Sequence, residues 1–424
     1  MMSKEAFWFE GDDLYCELTP LAELVEKYDT PVFVYSKAAI QARCREVERT
    51  LDGVPHLACY AMKANSNSNL LQLIRDEGLG AEVVSGGELY CALKVGFPPE
   101  RIVFSGVGKR DEEIELALEN RILALNVESF EELKTVSELA ARKGMKAPIY
   151  LRVNPDIEAG AHPFIVTGRK YNKFGIDKNQ VAEIFRWARS RPSIDCVGLH
   201  VHIGSQVVGL EPFRAAADVI VSLAHSLKKS GMALEAVNLG GGFGVPFADV
   251  VSDKRLPVTQ RQERIPTLDE YLRSVLPLYR SLGCMVLCEP GRSIVANSGA
   301  LIVRVLYRKE TGNRKFVVVD GGMNDLIRPS LYNAYHQIVP VRLGSREHET
   351  VDVVGPICES GDYFALERPL PKSVRGEYLA ILSAGAYGFA FSSNYNGRPR
   401  AAEVLVDKSE TSVIRMRETV EDLY

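Results

Sequence analysis

The sequence predicts a (β/α)8 barrel joined to a second, mostly β domain. Three observations carry that prediction. From about residue 56 to 290, short continuous apolar runs alternate with amphipathic helical stretches, and eight such runs occur. After about residue 297 the helical stretches stop, and strand-like runs separated by Gly, Pro and charged turns take over. The chain, at 424 residues, is also too long for one ordinary core, which points to two domains.

The eight runs are HLACYAM (56–62), GAEVV (80–84), RIVF (101–104), ILALNV (122–127), PIYLRV (148–153), CVGLHVHI (196–203), AVNL (236–239) and MVLCE (285–289). Apolar residues without alternation mean strands buried on both faces, as in a parallel sheet covered by helices. Eight of them suggest a closed barrel, with an open doubly wound sheet as the alternative. The intervening helices read from periodicity. In SFEELKTVSELAARKG (129–144), Phe130, Leu133, Val136 and Leu139–Ala140 recur at helical spacing, and EPFRAAADVIVSLAHSLKKSG (211–231) is a second such stretch. Beyond residue 297, ALIVRVLY, KFVVVD, VDVVGP, EYLAIL, AAEVLV and TSVIRM read as short strands. PVFVYS (31–36) precedes the first barrel helix and is expected to join them. The expected division is a barrel over 36–297, with a β-sandwich-like domain from 1–35 and 298–424.

Composition bounds the function. The chain is 46% hydrophobic and 25% charged with a net charge of −4, which gives no footprint for nucleic acid or an anionic membrane surface. Met1 to Leu14 lacks the basic start and apolar run of a signal peptide, and no segment is long and apolar enough to span a bilayer. The eight cysteines include no C-x-x-C pair. This suggests reduced thiols in a cytoplasm rather than a disulfide framework or a metal site.

The chemistry gathers where a barrel demands it, at the C-terminal ends of the strands. In YAMKANSN (60–67), Lys63 follows a buried run. Either it snorkels, with its ammonium in water, or its amine is a reagent. The other strand ends favour the second reading. They carry Ser85-Gly86-Gly87, Ser105, Asn126, Arg152, Asn154, His202, Gly204-Ser205, Gly240 to Gly244, Glu289, Gly291 and Arg292. NLGGGFG (238–244) follows strand seven, where such barrels build phosphate sites, although a tight turn would also use glycines. No dinucleotide or ATP-type glycine motif is present. His202 lies one rim loop away, able to face a planar ligand, and Ser205 could offer a hydroxyl to a phosphate. Glu289 either bridges to Arg292 or Arg152, or pairs with a cationic ring nitrogen. An amine, a phosphate cradle, an imidazole and a carboxylate together are what pyridoxal phosphate requires.

The motifs YAMKAN, VVSGGEL, KFGI, HVHIGSQ, NLGGGFG, CEPGR, IRPSLY, CESGD and GAYGFAFSSNYNGRPR are specific as a set. Together they resemble the diaminopimelate decarboxylases, members of the alanine-racemase-like (fold-type III) pyridoxal-phosphate proteins, over roughly residues 6–407. The resemblance implies a barrel paired with a β-sandwich-like domain, a homodimer with active sites at the interface, and release of CO2 from the D-centre of meso-2,6-diaminopimelate to give L-lysine. Lys63 would be the Schiff-base lysine, and His202 would stack on the cofactor ring. Gly241, Gly242 and the turn Glu289, Pro290, Gly291, Arg292 would hold the cofactor, with Glu289 at the pyridine nitrogen. Tyr387 would reach the phosphate and the substrate. Arg292, Arg328, Tyr332 and Glu359 would bind substrate. Cys358 would donate a proton, entering with Glu359 from the other subunit.

Two departures stand out. AEVVSGGEL has Ala81-Glu82 where the family more often shows an aspartate, and EAGAHPF and GRKYNKFG vary in a segment expected to be a lid. Neither is expected to touch the core roles. The alternatives are a decarboxylase of ornithine, arginine or carboxynorspermidine, a racemase, or a non-catalytic cofactor-binding protein. Glu289 argues against racemisation, since an arginine at the pyridine nitrogen would suit it better. Arg328 argues for a substrate with a distal carboxylate, because a diamine precursor would leave a buried cation unpaired.

Overall fold

The computed structural model describes residues 5–158, 168, 172–232, 234–257 and 264–424. Two compact units form. One comprises Cys44–Val245 and Ile265–Ser293, and the other Met1–Arg43, Pro246–Arg264 and Ile294–Tyr424. No described helix is long and apolar enough to cross a membrane.

The first unit is a closed parallel barrel. Its strands are His56–Ala61, Gly80–Val83, Ile102–Phe104, Ala124–Val127, Ala147–Asn154, Ile194–Val201, Ala236–Asn238 and Met285–Cys288. Each pairs in parallel with its sequence neighbours, and strand eight closes on strand one through Leu287 opposite Leu57. A short strand, Ile176–Asp177, adds to strand five. Helix starts follow capping chemistry. Asn67, Ser85 and Ser129 each accept a backbone N–H of the first turn of the helix that follows.

Alternation along the strands sets the depth of the barrel interior. Leu57, Cys59, Val103, Ala124, Tyr150, Val197, Ala236 and Leu287 pack together as one buried apolar cluster. Side chains two residues further on point to the same face. For Val103, Ala124, Tyr150, Ala236 and Leu287 those residues are Ser105, Asn126, Arg152, Asn238 and Glu289, all buried. An apolar floor thus carries a polar layer above it, at the C-terminal end.

In the second unit the long strand Gly299–Thr311 is central. Its first half pairs with Val32–Ser36 and Tyr378–Ile381, and its second half with Arg314–Val319. Ala402–Asp407 adds in parallel to Val32–Ser36, so PVFVYS does enter this sheet. Strands that the sequence reading did not list are Tyr363–Pro371, Ile338–Pro340 and an N-terminal set, Phe7–Glu10, Asp13–Cys16 and Thr19–Pro20. IRPSLY forms a short helix, Arg328–Tyr332, within the β unit, and Arg328 is buried as the substrate reading requires. A further difference concerns a boundary. Residues 246–257, expected inside the barrel stretch, pack in the β unit. Val251 lies in that unit's core, and the Gln337 amide bonds both Val251 backbone groups at 3.0 and 2.8 Å. Two apolar side chains, Phe247 and Val251, draw this loop there. The segment expected to be a lid lies largely outside the described residues.

Glu17 ties three parts of the β unit together. Its buried carboxylate accepts from Ser36 Oγ and Ala38 N at 2.8 Å and from Lys408 N at 2.6 Å. Glu17→Ala leaves these buried donors unmatched, so it should lower stability by about 2 kcal/mol or more. Thermal unfolding checks this, with a drop in the transition temperature of the variant as the expected result.

Candidate active site

Glu289 is a buried carboxyl of the barrel rim. It follows strand eight. His200 Nε2 lies 3.3 Å from its Oε2. Asn238 Nδ2 donates to Oε1 at 2.7 Å and Asn126 Nδ2 at 3.3 Å. Burial pushes the carboxyl up, but His200 and Lys63 outweigh it and hold Glu289 well below the usual carboxylate range. The carboxylate is therefore ionised inside the barrel.

Lys63 sits in the short turn Met62–Ala64 that ends strand one. The turn is fixed from both sides, because Tyr60 donates to the Asn65 carbonyl at 3.0 Å and Asn65 Oδ1 accepts from Asn67 N at 3.0 Å. Its ammonium does not snorkel away from the fold. It makes two bonds, at 3.0 and 2.7 Å, to both oxygens of fully buried Glu82. Burial raises the pKa of Glu82, Lys63 pulls it down and Glu289 pushes it up, leaving it above the ordinary value. The departure at Ala81-Glu82, read from sequence as outside the core roles, thus falls directly on Lys63.

The glycine loop is a tight, clamped turn. Gly240 and Gly242 have φ of 68° and 95°, values that favour glycine. At Gly241 a Cβ would collide with the Glu289 carbonyl. Gly240 N donates to Asn238 Oδ1 at 2.9 Å, Gly240 O accepts from Glu289 N at 2.8 Å, and Gly242 O accepts from Val207 N at 3.0 Å. Gly241 N donates to His202 Nδ1 at 3.2 Å. Burial, then the cations Arg152 and Lys63, push His202 well below the ordinary imidazole value, so it is neutral. Arg292 NH2 donates to Ser205 Oγ at 2.9 Å, while Arg152 pairs with Glu128 at 2.7 Å. Neither arginine is the partner that the salt-bridge reading of Glu289 expected. Pro290 O accepts from Ala61 N at 3.1 Å, and Gly291 packs closely on Ala61 and Ala64. Lys63, His202, Ser205, Gly241, Gly242, Glu289, Pro290, Gly291 and Arg292 thus share one rim.

The remaining predicted residues lie in the β unit. Asp362 accepts from Ile357 N at 2.7 Å and Met323 N at 2.6 Å. Ser330 Oγ donates to the Gly361 carbonyl at 2.5 Å. These bonds join the helix of Arg328 and Tyr332 to the loop of Cys358 and Glu359. Cys358 and Glu359 are exposed on that loop. Tyr387 has φ 58° and packs on Phe391 with ring centroids 5.9 Å apart.

The rim fits pyridoxal phosphate. A buried carboxylate held ionised suits a protonated pyridine nitrogen, and a neutral imidazole suits a ring face. The family described as "Pyridoxal-dependent decarboxylase, pyridoxal binding domain" matches residues 37–296. The diaminopimelate decarboxylase of Aquifex aeolicus is 43% identical over 410 residues, 97% of this chain and 94% of that protein. The chain belongs to the diaminopimelate decarboxylase family. Two solved members share its fold. That of Helicobacter pylori complexed with L-lysine superposes with TM-score 0.89 at 43% identity, covering 95% of this chain and 98% of that one. That of M. jannaschii in co-complex with L-lysine gives TM-score 0.91 at 35% identity, covering 100% and 98%.

Sequence reading missed Glu82, His200 and Asn238 as members of this site. The signal was available for two of them. Asn238 lies two residues beyond floor residue Ala236, and His200 lies two beyond Gly198, which follows an irregularity in strand six and pairs with floor residues Tyr150 and Ala236. Glu88 was also missed. Its carboxylate accepts from Val84 N at 2.8 Å, and burial, then Glu82, push its pKa up to about 7. The unfolded chain releases this proton first. Glu88 therefore erodes stability as pH rises from about 4 to about 7 and no further above that. Glu88→Gln in the cofactor-free protein should raise the melting temperature relative to the parent at pH 8 and leave it nearly unchanged at pH 4. Melting curves across that range check it.

Proposed function

We propose that this chain releases CO2 from the D-centre of meso-2,6-diaminopimelate and yields L-lysine, the last step of lysine biosynthesis. The barrel unit, Cys44–Val245 with Ile265–Ser293, is the cofactor-binding domain. Lys63 holds the cofactor through its amine, and Glu82 offers the displaced ammonium a partner when the substrate amine takes its place. Gly241, Gly242, Ser205 and the Glu289–Arg292 turn, with Tyr387, hold the phosphate. His202, being neutral, lies against the ring without adding charge. Pyridoxal phosphate, when bound, supplies a sink for the electron pair left by departing CO2. Glu289 sustains that sink by keeping a proton on the pyridine nitrogen. Cys358 then returns a proton to Cα.

The observation that carries the substrate choice is Arg328. Its guanidinium is buried, with NH1 2.7 Å from His336 Nε2, and lies 4.8 Å from the Phe247 ring. A cation in that setting suits a bidentate carboxylate, which diaminopimelate has at its distal end and ornithine lacks. Tyr332 and Glu359 complete the pocket, Glu359 taking the distal ammonium. The exposure of Cys358 and Glu359 supports their acting across a homodimer interface. A cytoplasmic biosynthetic enzyme is the setting that this reading implies.

Release of CO2 should be fastest from meso-diaminopimelate when ornithine and arginine are run in parallel, with L-lysine as product. Faster release from either diamine precursor, or none from any, would overturn the reading. Arg328→Ala should lose about 2–5 kcal/mol in kcat/KM for meso-diaminopimelate and far less for D-lysine, which lacks the distal carboxylate. Equal losses on both substrates would assign Arg328 to the fold.

A further inference from the structure

Arg328 does not hold its own direction. It begins a helix of only five residues, Arg328–Tyr332, which ends at Asn333 in the left-handed region. Its long side chain has several rotatable bonds, and ordering such a chain costs about 1.5–2 kcal/mol of rotamer freedom. Eight residues later the chain returns with His336, which is fully buried. Arg328 NH1 lies 2.7 Å from His336 Nε2, and His336 Nδ1 lies 2.8 Å from the Leu382 carbonyl. A carbonyl oxygen only accepts, and a guanidinium only donates. The proton of the ring is therefore on Nδ1, and Nε2 presents a lone pair to Arg328. His336 is itself held by the sheet. Arg368 NH1 donates to its carbonyl at 2.7 Å, and Leu382 N donates to the next carbonyl, Gln337 O, at 2.9 Å. Phe247 closes the group, 5.1 Å edge-on to His336 and 4.8 Å under the guanidinium.

We propose that His336 is the positioning residue of substrate selection: by accepting from NH1 as a neutral, Nδ1-protonated imidazole, it fixes the plane of the Arg328 guanidinium toward a substrate carboxylate. The proposal rests on the reading of Arg328 given above. It deepens that reading by naming the group that converts a flexible cation into an oriented one. A fork that must meet two oxygens at once depends on its plane as much as on its charge. Phe247 alone cannot set that plane, because a ring face attracts a cation without choosing which N–H points where.

The test uses the holoenzyme and two competing amines. L-lysine keeps the distal ammonium and carboxylate of the substrate, whereas cadaverine lacks the carboxylate. Inhibition constants for both, and the KM–kcat split for meso-diaminopimelate, are measured in the parent, Arg328→Ala, His336→Phe, His336→Gln and the Arg328→Ala/His336→Phe double variant. His336→Phe should weaken L-lysine about tenfold, the loss of one hydrogen bond to a charged group. Cadaverine should bind as in the parent, and KM should move more than kcat. His336→Gln restores an acceptor oxygen and should recover most of the L-lysine binding. In the double variant the His336 change should add nothing to the Arg328 loss, since the two act through one contact. Equal weakening of L-lysine and cadaverine in both His336 variants would make His336 a core residue and overturn the proposal, as would parent-like L-lysine binding in His336→Phe. Parent-like L-lysine binding in Arg328→Ala would remove the reading of Arg328 itself, a distinct failure.

Discussion

A carboxylate kept ionised inside a barrel is the constraint on which the site depends. An isolated buried charge costs several kcal/mol even after relaxation. The barrel offsets this for Glu289 with a buried imidazole at 3.3 Å and amide donors at 2.7 and 3.3 Å. Each donor comes from a different strand, at the level just above the apolar floor. Asn238 also accepts from Gly240 N, so one amide orients the carboxylate and starts the glycine turn. The Glu289 backbone in turn bonds Gly240 and crowds Gly241. Charge placement and the glycine turn are thus one hydrogen-bonded unit, and loosening either disturbs the other.

Lys63 shows the same economy. Its ammonium is held by Glu82 from the neighbouring strand, while Glu289 contributes to the field that both feel. Two carboxylates and one amine share a small space, and their preferences diverge. Glu289 is held ionised, while Glu82 is pushed toward the protonated form. Such divergence is how one site keeps one group as a fixed charge and another as a proton acceptor of adjustable strength. In the β unit, rigidity comes from the buried carboxylate of Asp362 and from His336, which hold the segments of Cys358 and Arg328.

All eight barrel strands were legible because their runs are mainly apolar without alternation; six of the eight predicted runs contain the observed strand, while Ala147–Asn154 and Ile194–Val201 extend beyond theirs. Rim residues were legible because a barrel works at its strand ends. Glu82, His200 and Asn238 were harder to see, since they sit inside apolar runs and read there as strand interior. Only the alternation against Cys59, Ala236 and Leu287, once the floor was defined, separates inward polar positions from outward ones. The placement of 246–257 was not legible, because Val251 finds its partner Gln337 far along the chain. Tyr363–Pro371 was missed for a different reason. Its charged middle, Glu367-Arg368, and its two prolines hide the period. His336 carried no local signal, as its role exists only through Arg328 and Leu382.

The claim on which the account turns is that Glu289 keeps the cofactor's pyridine nitrogen protonated. The direct measurement is the 15N chemical shift of that nitrogen in the loaded enzyme, prepared with isotopically labelled pyridoxal phosphate, for the parent and for Glu289→Gln. The account predicts a protonated signal in the parent that moves to the neutral position in the variant. A neutral signal in the parent, or a protonated one in both proteins, would contradict it.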